Sequence, residues 1–316
     1  MHPVLIITVP CYNEEAVLQE TVKRLSDLLD NMVEEQKLVD QGSRILLVND
    51  GSADNTWNII RQLHGSNSYV CGLNLAGNVG HQNALMAGLE TAKDMGDAII
   101  SIDADLQDDI AVIPEMIRKY LDGCDIVYGV RKERKTDTWF KRKTAQSFYK
   151  LMNFLGVKSV YNHADYRLMS KRAVEQLCQY REKNLFLRGI IPTIGYKTDC
   201  VYYNRAERFA GESKYPLGKM INFAVDGITS FSVRPVRIIF LIGVLFLLIA
   251  LGIFIYVICS LIGGNTVSGW ASLILSVWVI GGCALLGIGV IGEYIGKIYL
   301  EVKDRPRYNI ESKLLK

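Results

Sequence analysis

Charged residues are absent from one long part of this sequence. Between Arg237 and Glu293 there is no Asp, Glu, Lys or Arg, and these 55 residues are mostly Leu, Ile, Val, Phe, Gly and Ala. A membrane-spanning helix needs about 20 such residues, so the stretch is long enough for two. The segment 263–269, which contains Gly, Asn and Ser, predicts a turn between spans at about 237–261 and 270–292.

Several other signals are also missing. The seven cysteines are scattered without a Cys-x-x-Cys pair, which is typical of a reduced compartment and gives no sign of a zinc site. No Gly-x-Gly-x-x-Gly follows the first predicted strand and no Walker A loop occurs, so dinucleotide-binding and P-loop folds lose their main support. The net charge of +3 is too small to indicate a nucleic-acid partner. We also expect no signal peptide, because Pro10 breaks the first short apolar run.

Basic residues flank the uncharged stretch, and the turn within it carries no charge. Those before and after it are Arg234, Arg237, Lys297, Lys303, Arg305 and Arg307. Because cytoplasmic flanks of membrane spans are enriched in Lys and Arg, both ends of the pair are predicted to be cytoplasmic. The chain is thus expected to be a two-span membrane protein whose tail, residues 297–316, is cytoplasmic.

Apolar runs alternate with helical patterns over the first 130 residues. Strands are predicted at 4–9, 44–48, 69–75, 98–102 and 125–130, and helices at 14–29, 55–63, 82–94 and 110–121. Such alternation predicts an α/β domain with a mainly parallel sheet, here assigned to residues 1–215. The carboxyl ends of its strands should meet at one edge, where α/β proteins bind ligands.

Two segments after the predicted sheet suggest contact with a membrane surface. Residues 131–155 combine a basic cluster with apolar side chains at helical spacing, which favours an interfacial location over an ordinary solvated helix. Residues 216–234 carry an apolar stripe and lead into the uncharged stretch, so they are predicted to form a juxtamembrane amphipathic helix. The membrane region itself is placed at 235–296.

An acidic loop follows the fourth predicted strand. Asp103 and Asp105 leave its carboxyl end only two residues apart, within the run Asp103–Asp109. Carboxylates this close repel each other, and a cation bound between them would offset that repulsion. Oxygen ligands indicate Mg²⁺ or Mn²⁺, and such ions are commonly bound together with a substrate's phosphates.

Three more polar loops follow the first three strands: Pro10–Glu15, Val48–Thr56 and Asn78–His81. Each has an ordinary explanation when taken alone. Asn13, for example, is a good helix cap, and Asp50-Gly51 is a common turn. Four such loops in register at one sheet edge are more specific than any one of them.

These four loops resemble the family-2 glycosyltransferases with a GT-A fold. Two later stretches, Ala164–Met169 and Gly211–Tyr215, are similar to the branch that glycosylates a polyprenyl phosphate. That branch includes dolichol-phosphate mannosyltransferases and bactoprenol glucosyltransferases, and its bacterial members share the two-span hairpin. The chain departs from the family pattern at Asn49, since the family usually has two aspartates before the Gly-Ser of the second loop.

The resemblance implies a donor site and a metal site. By position, the residues that would bind the nucleotide-sugar donor are Pro10, Tyr12, Glu14, Asp50 and Asp103. Asp103 and Asp105 would hold Mg²⁺ or Mn²⁺, with Asp105 the more direct ligand and counted among the catalytic residues. The ion would stabilise the diphosphate leaving group.

The resemblance also implies a catalytic carboxylate, Asp165. A lipid phosphate is already an anion, however, and needs positioning and charge compensation more than deprotonation. Our hypothesis is that Asp165 mainly orients the acceptor or an arginine such as Arg167. Cationic residues are expected near the acceptor phosphate: Arg131, also counted as catalytic, with Arg205, Arg208 and Lys214.

The expected reaction is transfer of one sugar to undecaprenyl or another polyprenyl phosphate at the cytoplasmic membrane face, with inversion of the anomeric centre. UDP-glucose and UDP-N-acetylglucosamine are the favoured donors. Two alternatives remain: a processive polysaccharide synthase, although its Gln-x-x-Arg-Trp motif is absent, and a non-catalytic membrane-bound sugar-nucleotide sensor. Gly292 and Gly296 have the spacing that permits close helix contact, which leaves a homo-oligomer open.

Overall fold

The structure of the protein is a computed structural model that describes residues 2–105, 107–132, 163–183, 185–204, 234–262 and 269–316. These residues form two compact units. The first contains the described residues up to Asn204 together with Arg305–Lys316, and the second contains the described residues from Arg234 to Asp304. The chain therefore leaves the first unit, forms the second, and returns to the first for its last residues.

Alternating strands and helices build the first unit, because short apolar runs rich in Val, Ile and Leu end in turn residues before amphipathic segments. Strands β1 to β5 span Leu5–Cys11, Arg44–Asn49, Val70–Leu75, Ala98–Ser101 and Ile126–Arg131. Helices α1 to α4 span Leu18–Asp30, Thr56–Ser66, His81–Ala92 and Ile113–Leu121. The predicted order of strands and helices over this part of the chain is thus confirmed.

Helix α1 begins at Leu18, not at the predicted residue 14. Asn13 has a φ of 54°, which differs from the extended backbone of a helix N-cap. Its side-chain oxygen accepts a hydrogen bond from the backbone amide of Ala53 at 2.9 Å instead of capping the helix. Asn13, which the sequence pattern indicated as a helix cap, therefore joins two loops instead.

Further strands and short helices complete the first unit. They are β6 (His163–Ser170), α5 (Lys171–Cys178), α6 (Leu187–Ile190), β7 (Thr198–Tyr203) and, after the second unit, β8 (Ile310–Leu314). The eight described strands form one sheet in the order β7-β5-β6-β4-β1-β2-β3-β8.

Parallel pairing holds the centre of this sheet together. Strands β3, β2, β1 and β4 are parallel neighbours, with Ile7 of β1 opposite Ile45 of β2 and Ile100 of β4. Strand β6 lies antiparallel between β4 and β5, and β8 lies antiparallel to β3. Strand β5 pairs in parallel with β7. Four of the seven pairings are therefore parallel and three are antiparallel, so the sheet is mixed but mainly parallel, with antiparallel pairing where β6 and β8 join it. Local patterns did not indicate that β6 would insert between β4 and β5.

The second unit contains two long apolar helices, α7 (Arg234–Ile262) and α8 (Trp270–Val302). Among the described residues, the stretch Val279–Val302 is long and apolar enough to cross a membrane, and Val236–Phe246 is a shorter apolar stretch. The prediction of two spans, at 237–261 and 270–292, stays a prediction. The segments predicted to be interfacial, 131–155 and 216–234, lie largely outside the described residues.

Helix α3 packs closely on the parallel strands, which places its first residues at the sheet edge. A Cβ atom built on Gly88 of α3 would lie 2.3 Å from Cγ2 of Thr8 and 2.8 Å from Cγ2 of Val48. Real side-chain atoms do not approach this closely, so any larger residue would push the helix away from β1 and β2.

Replacing Gly88 by Ala should therefore destabilise the protein by about 1–3 kcal/mol through overpacking. The matched control is Gly65→Ala in α2, where a Cβ meets nothing within 4 Å and should raise helix stability by about 0.5–1 kcal/mol. Thermal unfolding of the two variants should give shifts of opposite sign. A stable Gly88→Ala protein would contradict this close packing of α3.

Candidate active site

Four loops follow the parallel strands and lie at their common carboxyl edge. Hydrogen bonds join the loop after β1 to the loop after β2. The backbone amide of Asn13 donates to Oγ of Ser52 at 3.0 Å, while Oδ1 of Asn13 accepts from the amide of Ala53 at 2.9 Å. The amide of Glu14 donates to Oγ1 of Thr56, the first residue of α2, at 2.9 Å. These two loops therefore form one continuous hydrogen-bonded surface.

Asp50 joins the second loop to the third. Its buried carboxylate accepts hydrogen bonds from the backbone amides of Val79 at 2.8 Å and Gly80 at 3.1 Å. Gly51 has a φ of 60°, and a Cβ there would lie 2.4 Å from the amide nitrogen of Asn78, so only glycine permits this approach. The carboxylate predicted to hold a nucleoside thus bonds with both oxygens to the loop that precedes α3.

The other predicted donor-binding residues of the first loop differ in exposure. Pro10 is buried within β1, and Glu14 is partly buried. Tyr12 follows the strand directly and is 49 % exposed. Its aromatic ring is therefore the member of this group that offers a flat surface on which a planar ligand can stack.

The acidic loop after β4 carries a group of crowded carboxylates. Burial and the neighbouring charges of Asp165, Asp108 and Asp105 raise the pKa of Asp103 to about 6, although His81 acts in the opposite direction. Nε2 of His81 lies 3.6 Å from Oδ1 of Asp103. Oδ1 of Asp105 accepts a hydrogen bond from the amide of Gln107 at 3.2 Å. Negative charge on Asp103 therefore costs more free energy than on an isolated carboxylate, and a nearby cation would lower that cost.

The predicted metal ligands fit an ion that is shared with a substrate. Within the part of the chain that the structure describes, no group of three His, Cys, Asp or Glu side chains could hold a metal by itself. Asp103 and Asp105 supply two carboxylates, which is the number that Mg²⁺ commonly takes from a protein when phosphates and water complete its shell. A cation between them would also relieve the repulsion that raises the pKa of Asp103.

The antiparallel pairing of β6 with β4 brings Asp165 to the same edge. Oγ of Ser101, at the end of β4, donates to the backbone oxygen of Asp165 at 2.6 Å. The carboxylate forms ion pairs with Arg167 and with Nη2 of Arg188, the latter at 3.0 Å. Nε2 of His81 lies 3.9 Å from its Oδ2, so His81 stands between Asp165 and the acidic loop.

The ion pairs decide the protonation state of Asp165. Burial raises its pKa, but the positive charges of Arg167 and Arg188 outweigh burial and hold that pKa well below its usual range. Arg167 is completely buried, and burial lowers its own pKa. The carboxylate is therefore a weak base that forms ion pairs with two guanidinium groups.

Arg131, predicted to bind the acceptor phosphate, is paired with the acidic loop. Its Nη2 lies 2.8 Å from Oδ1 of Asp108, and its Nε donates to the hydroxyl of Tyr203 at 3.2 Å. Tyr203 in turn donates to the same oxygen of Asp108 at 2.5 Å. The Arg131 side chain is still about one quarter exposed, so part of its surface reaches solvent.

Some site residues were missed and others lie outside the described residues. His81 and Tyr203 were not among the sequence-based candidates, although His81 follows the glycine of the third loop. Arg188 carried no local signal, because it meets Asp165 from α6, 23 residues along the chain. The remaining predicted acceptor residues, all outside the described part, are Arg205, Arg208 and Lys214.

Comparison with known proteins identifies the family of this chain. A sequence profile of the family described as Glycosyl transferase family 2 matches residues 6–178, which is more than half of the chain. The chain belongs to this family. It is a glycosyltransferase, and relatives match it over nearly their whole lengths.

Two of these relatives are bacterial proteins. The uncharacterized glycosyltransferase YkoT of Bacillus subtilis is 58% identical over 313 residues, which cover 98% of this chain and 91% of the relative. The SfII prophage-derived bactoprenol glucosyl transferase of Shigella flexneri is 44% identical over 313 residues, 96% of each chain.

A solved structure is more distantly similar. It is glucosyl-3-phosphoglycerate synthase from Mycobacterium tuberculosis in complex with Mn²⁺, UDP and phosphoglyceric acid, 18% identical with a TM-score of 0.47. The match covers 72% of this chain and 76% of that one.

The opposite pKa shifts of the two carboxylates predict opposite effects on stability. Ionised Asp165 stabilises the fold, since its removal leaves buried Arg167 unpaired; Asp165→Asn should cost about 3 kcal/mol at pH 7. This difference should shrink as the pH falls below the usual carboxylate range, through the low pKa of Asp165. Ionised Asp103 is unfavourable without a cation, so Asp103→Asn should leave thermal stability unchanged or raise it.

The measurement is thermal unfolding of both variants and of the wild type at neutral and acidic pH, without nucleotide or divalent metal. A destabilised Asp103→Asn protein with a fully stable Asp165→Asn protein would contradict the electrostatic account of this site.

Proposed function

We propose that this glycosyltransferase moves one sugar from a nucleoside diphosphate to the phosphate of undecaprenyl or another polyprenyl phosphate. The observation that carries the proposal is the 44% identity to a bactoprenol glucosyl transferase over 96% of each chain. UDP-glucose is the first donor to test, because the relative is named for glucosyl transfer, and UDP-N-acetylglucosamine is the second.

The geometry of the first unit supports a donor site at the carboxyl edge of the sheet. Asp103 and Asp105 would hold Mg²⁺ or Mn²⁺ beside the donor diphosphate, and exposed Tyr12 would stack on the base. When bound, the ion would stabilise the negative charge of the departing diphosphate. Pro10, Glu14 and Asp50 would act through the loops that they shape.

The acceptor needs no strong base, which is consistent with the low pKa of Asp165. A phosphate oxygen of the acceptor attacks the anomeric carbon, the bond from that carbon to the donor phosphate breaks, and the nucleoside diphosphate leaves. Asp165 would hold Arg188 and Arg167 toward this centre, while Arg131, Arg205, Arg208 and Lys214 would compensate the acceptor's charge. One displacement inverts the anomeric centre.

The return of the chain to its first unit supports an even number of membrane crossings. Strand β8 is hydrogen-bonded to β3, with Lys313 opposite Leu73. If the helices between residues 234 and 302 crossed a membrane once, β8 would lie on the other side from β3. Two crossings, at about 237–261 and 270–292, keep both in one compartment. The basic flanks favour the cytoplasm for residues 1–215 and 297–316.

The reaction is tested with membranes that contain the full-length protein, undecaprenyl phosphate, Mg²⁺ and a panel of UDP- and GDP-sugars. We expect one α-linked donor to yield a lipid product with a single β-linked sugar, identified by its anomeric NMR coupling constant. Asp105→Asn should lower turnover at least about 100-fold, because charge stabilisation in the transition state is lost.

Other results separate the alternatives. A lengthening polymer would indicate a processive synthase. Donor binding without turnover, under every condition of metal and acceptor, would indicate a sensor. An α-linked product from an α-linked donor would contradict the single displacement.

Membrane topology is tested by adding one cysteine at a time, Thr266→Cys or Leu315→Cys, and measuring the label in excess of that taken up by the seven natural cysteines of the wild type. A membrane-impermeant thiol reagent should label position 266 on intact cells, and position 315 only after the membrane is permeabilised. Labelling of both positions only after permeabilisation would contradict the two crossings.

A further inference from the structure

A chain of side-chain hydrogen bonds crosses three neighbouring strands, β2, β3 and β8, and consists of two amides and one carboxylate. Nδ2 of Asn49 donates to Oδ1 of Asn74 at 2.7 Å, and Nδ2 of Asn74 donates to Oε2 of Glu311 at 2.5 Å. Both asparagines are buried. This chain of hydrogen bonds links the last residue of β2, which precedes Asp50 of the donor-site loop, with a strand that follows the second unit.

An irregularity in the sheet places Glu311 at this position. Asn74 is opposite Ser312, whereas Leu75 is opposite Ile310, so the ladder register shifts between them and Glu311 has no cross-strand partner. An extra residue of this kind is a β-bulge, and bulges redirect side chains near functional sites. The carboxylate of Glu311 is thereby bonded to a buried amide although the residue itself is exposed.

The carboxylate determines the direction of every bond in the chain. An ionised carboxylate can only accept, so the amide nitrogen of Asn74 must face Glu311 and its oxygen must face Asn49. The nitrogen of Asn49 must then face Asn74, which leaves its oxygen for the donor loop. That oxygen lies 3.4 Å from the backbone amide of Ser52.

We infer that Glu311 is a positioning residue for donor binding, which acts through Asn74 and Asn49 on the loop that begins at Asp50. The inference rests on the proposed function, since it takes this loop to be part of the donor site. It also explains why Asn49 stands where related glycosyltransferases usually have a first aspartate. An aspartate there would face the oxygen of Asn74, and turning Asn74 around would direct that oxygen at Glu311.

A double-mutant cycle tests the direction of the hydrogen bonds. Asn49→Asp should raise the KM for UDP-glucose about tenfold with little change in kcat, because one acceptor must face another. Glu311→Gln alone should raise it about twofold, since glutamine still accepts but lacks the charge. Combined, the two changes should restore KM to within about threefold of wild type, because the glutamine can donate to a reversed Asn74.

Two further variants separate hydrogen-bond direction from other effects. Glu311→Leu removes the charge but supplies no donor, so it should rescue Asn49→Asp much less than glutamine does. Lys313→Gln changes one charge on the same strand and should leave KM unchanged. Equal rescue by leucine and glutamine, or an Asn49→Asp defect of the same size in both backgrounds, would overturn the inference.

Thermal unfolding without nucleotide separates this inference from the proposed function. The unfolding temperatures of the wild type, Asn49→Asp, Glu311→Gln and the double variant should show the same rescue: Glu311→Gln should reduce the loss of stability caused by Asn49→Asp. If it appears there while the KM for UDP-glucose stays constant in an active enzyme, the positioning role is wrong. A wild type that is inactive with every donor would contradict the proposed function. The unfolding temperatures would then still test whether Glu311 sets the direction of the hydrogen bonds through Asn74 to Asn49.

Discussion

Parallel pairing of β3, β2, β1 and β4 is the constraint on which the site depends. It brings four loop starts to one edge, but pairing alone leaves those loops free to move apart. Asp50 and Asn13 remove that freedom by bonding backbone amides of the neighbouring loops. Backbone donors satisfied in this way are costly to release, so the proposed donor side of the site is held in position by bonds within the protein itself.

Electrostatics then distinguishes two carboxylates that lie on either side of His81. Asp103 is surrounded by other carboxylates and holds its negative charge poorly, whereas Asp165 is paired with two arginines and holds its charge firmly. The first environment suits a cation that arrives with a substrate. The second suits an orienting anion. Two residues of the same type thus acquire different chemistry from their neighbours.

The C-terminal strand follows the second unit in the sequence but belongs to the first. Strand β8 extends the sheet beyond β3, and its bulged residue Glu311 meets Asn74 inside the sheet. Along the chain, the second unit is therefore both preceded and followed by residues of the first unit. Strand β8 is thus joined covalently to the second unit and, by one line of hydrogen bonds, to the loop after β2.

The sequence by itself determined the first five strands and the four helices between them, the acidic loop, the two apolar helices and the family. These features depend on local periodicity, turn residues and composition, which are readable in short windows. Only the tertiary structure decided that β6 inserts between β4 and β5, that Arg188 meets Asp165, and that Glu311 reaches Asn49 through Asn74. Such contacts join residues far apart in the chain, and their energies depend on packing and burial that no local pattern contains.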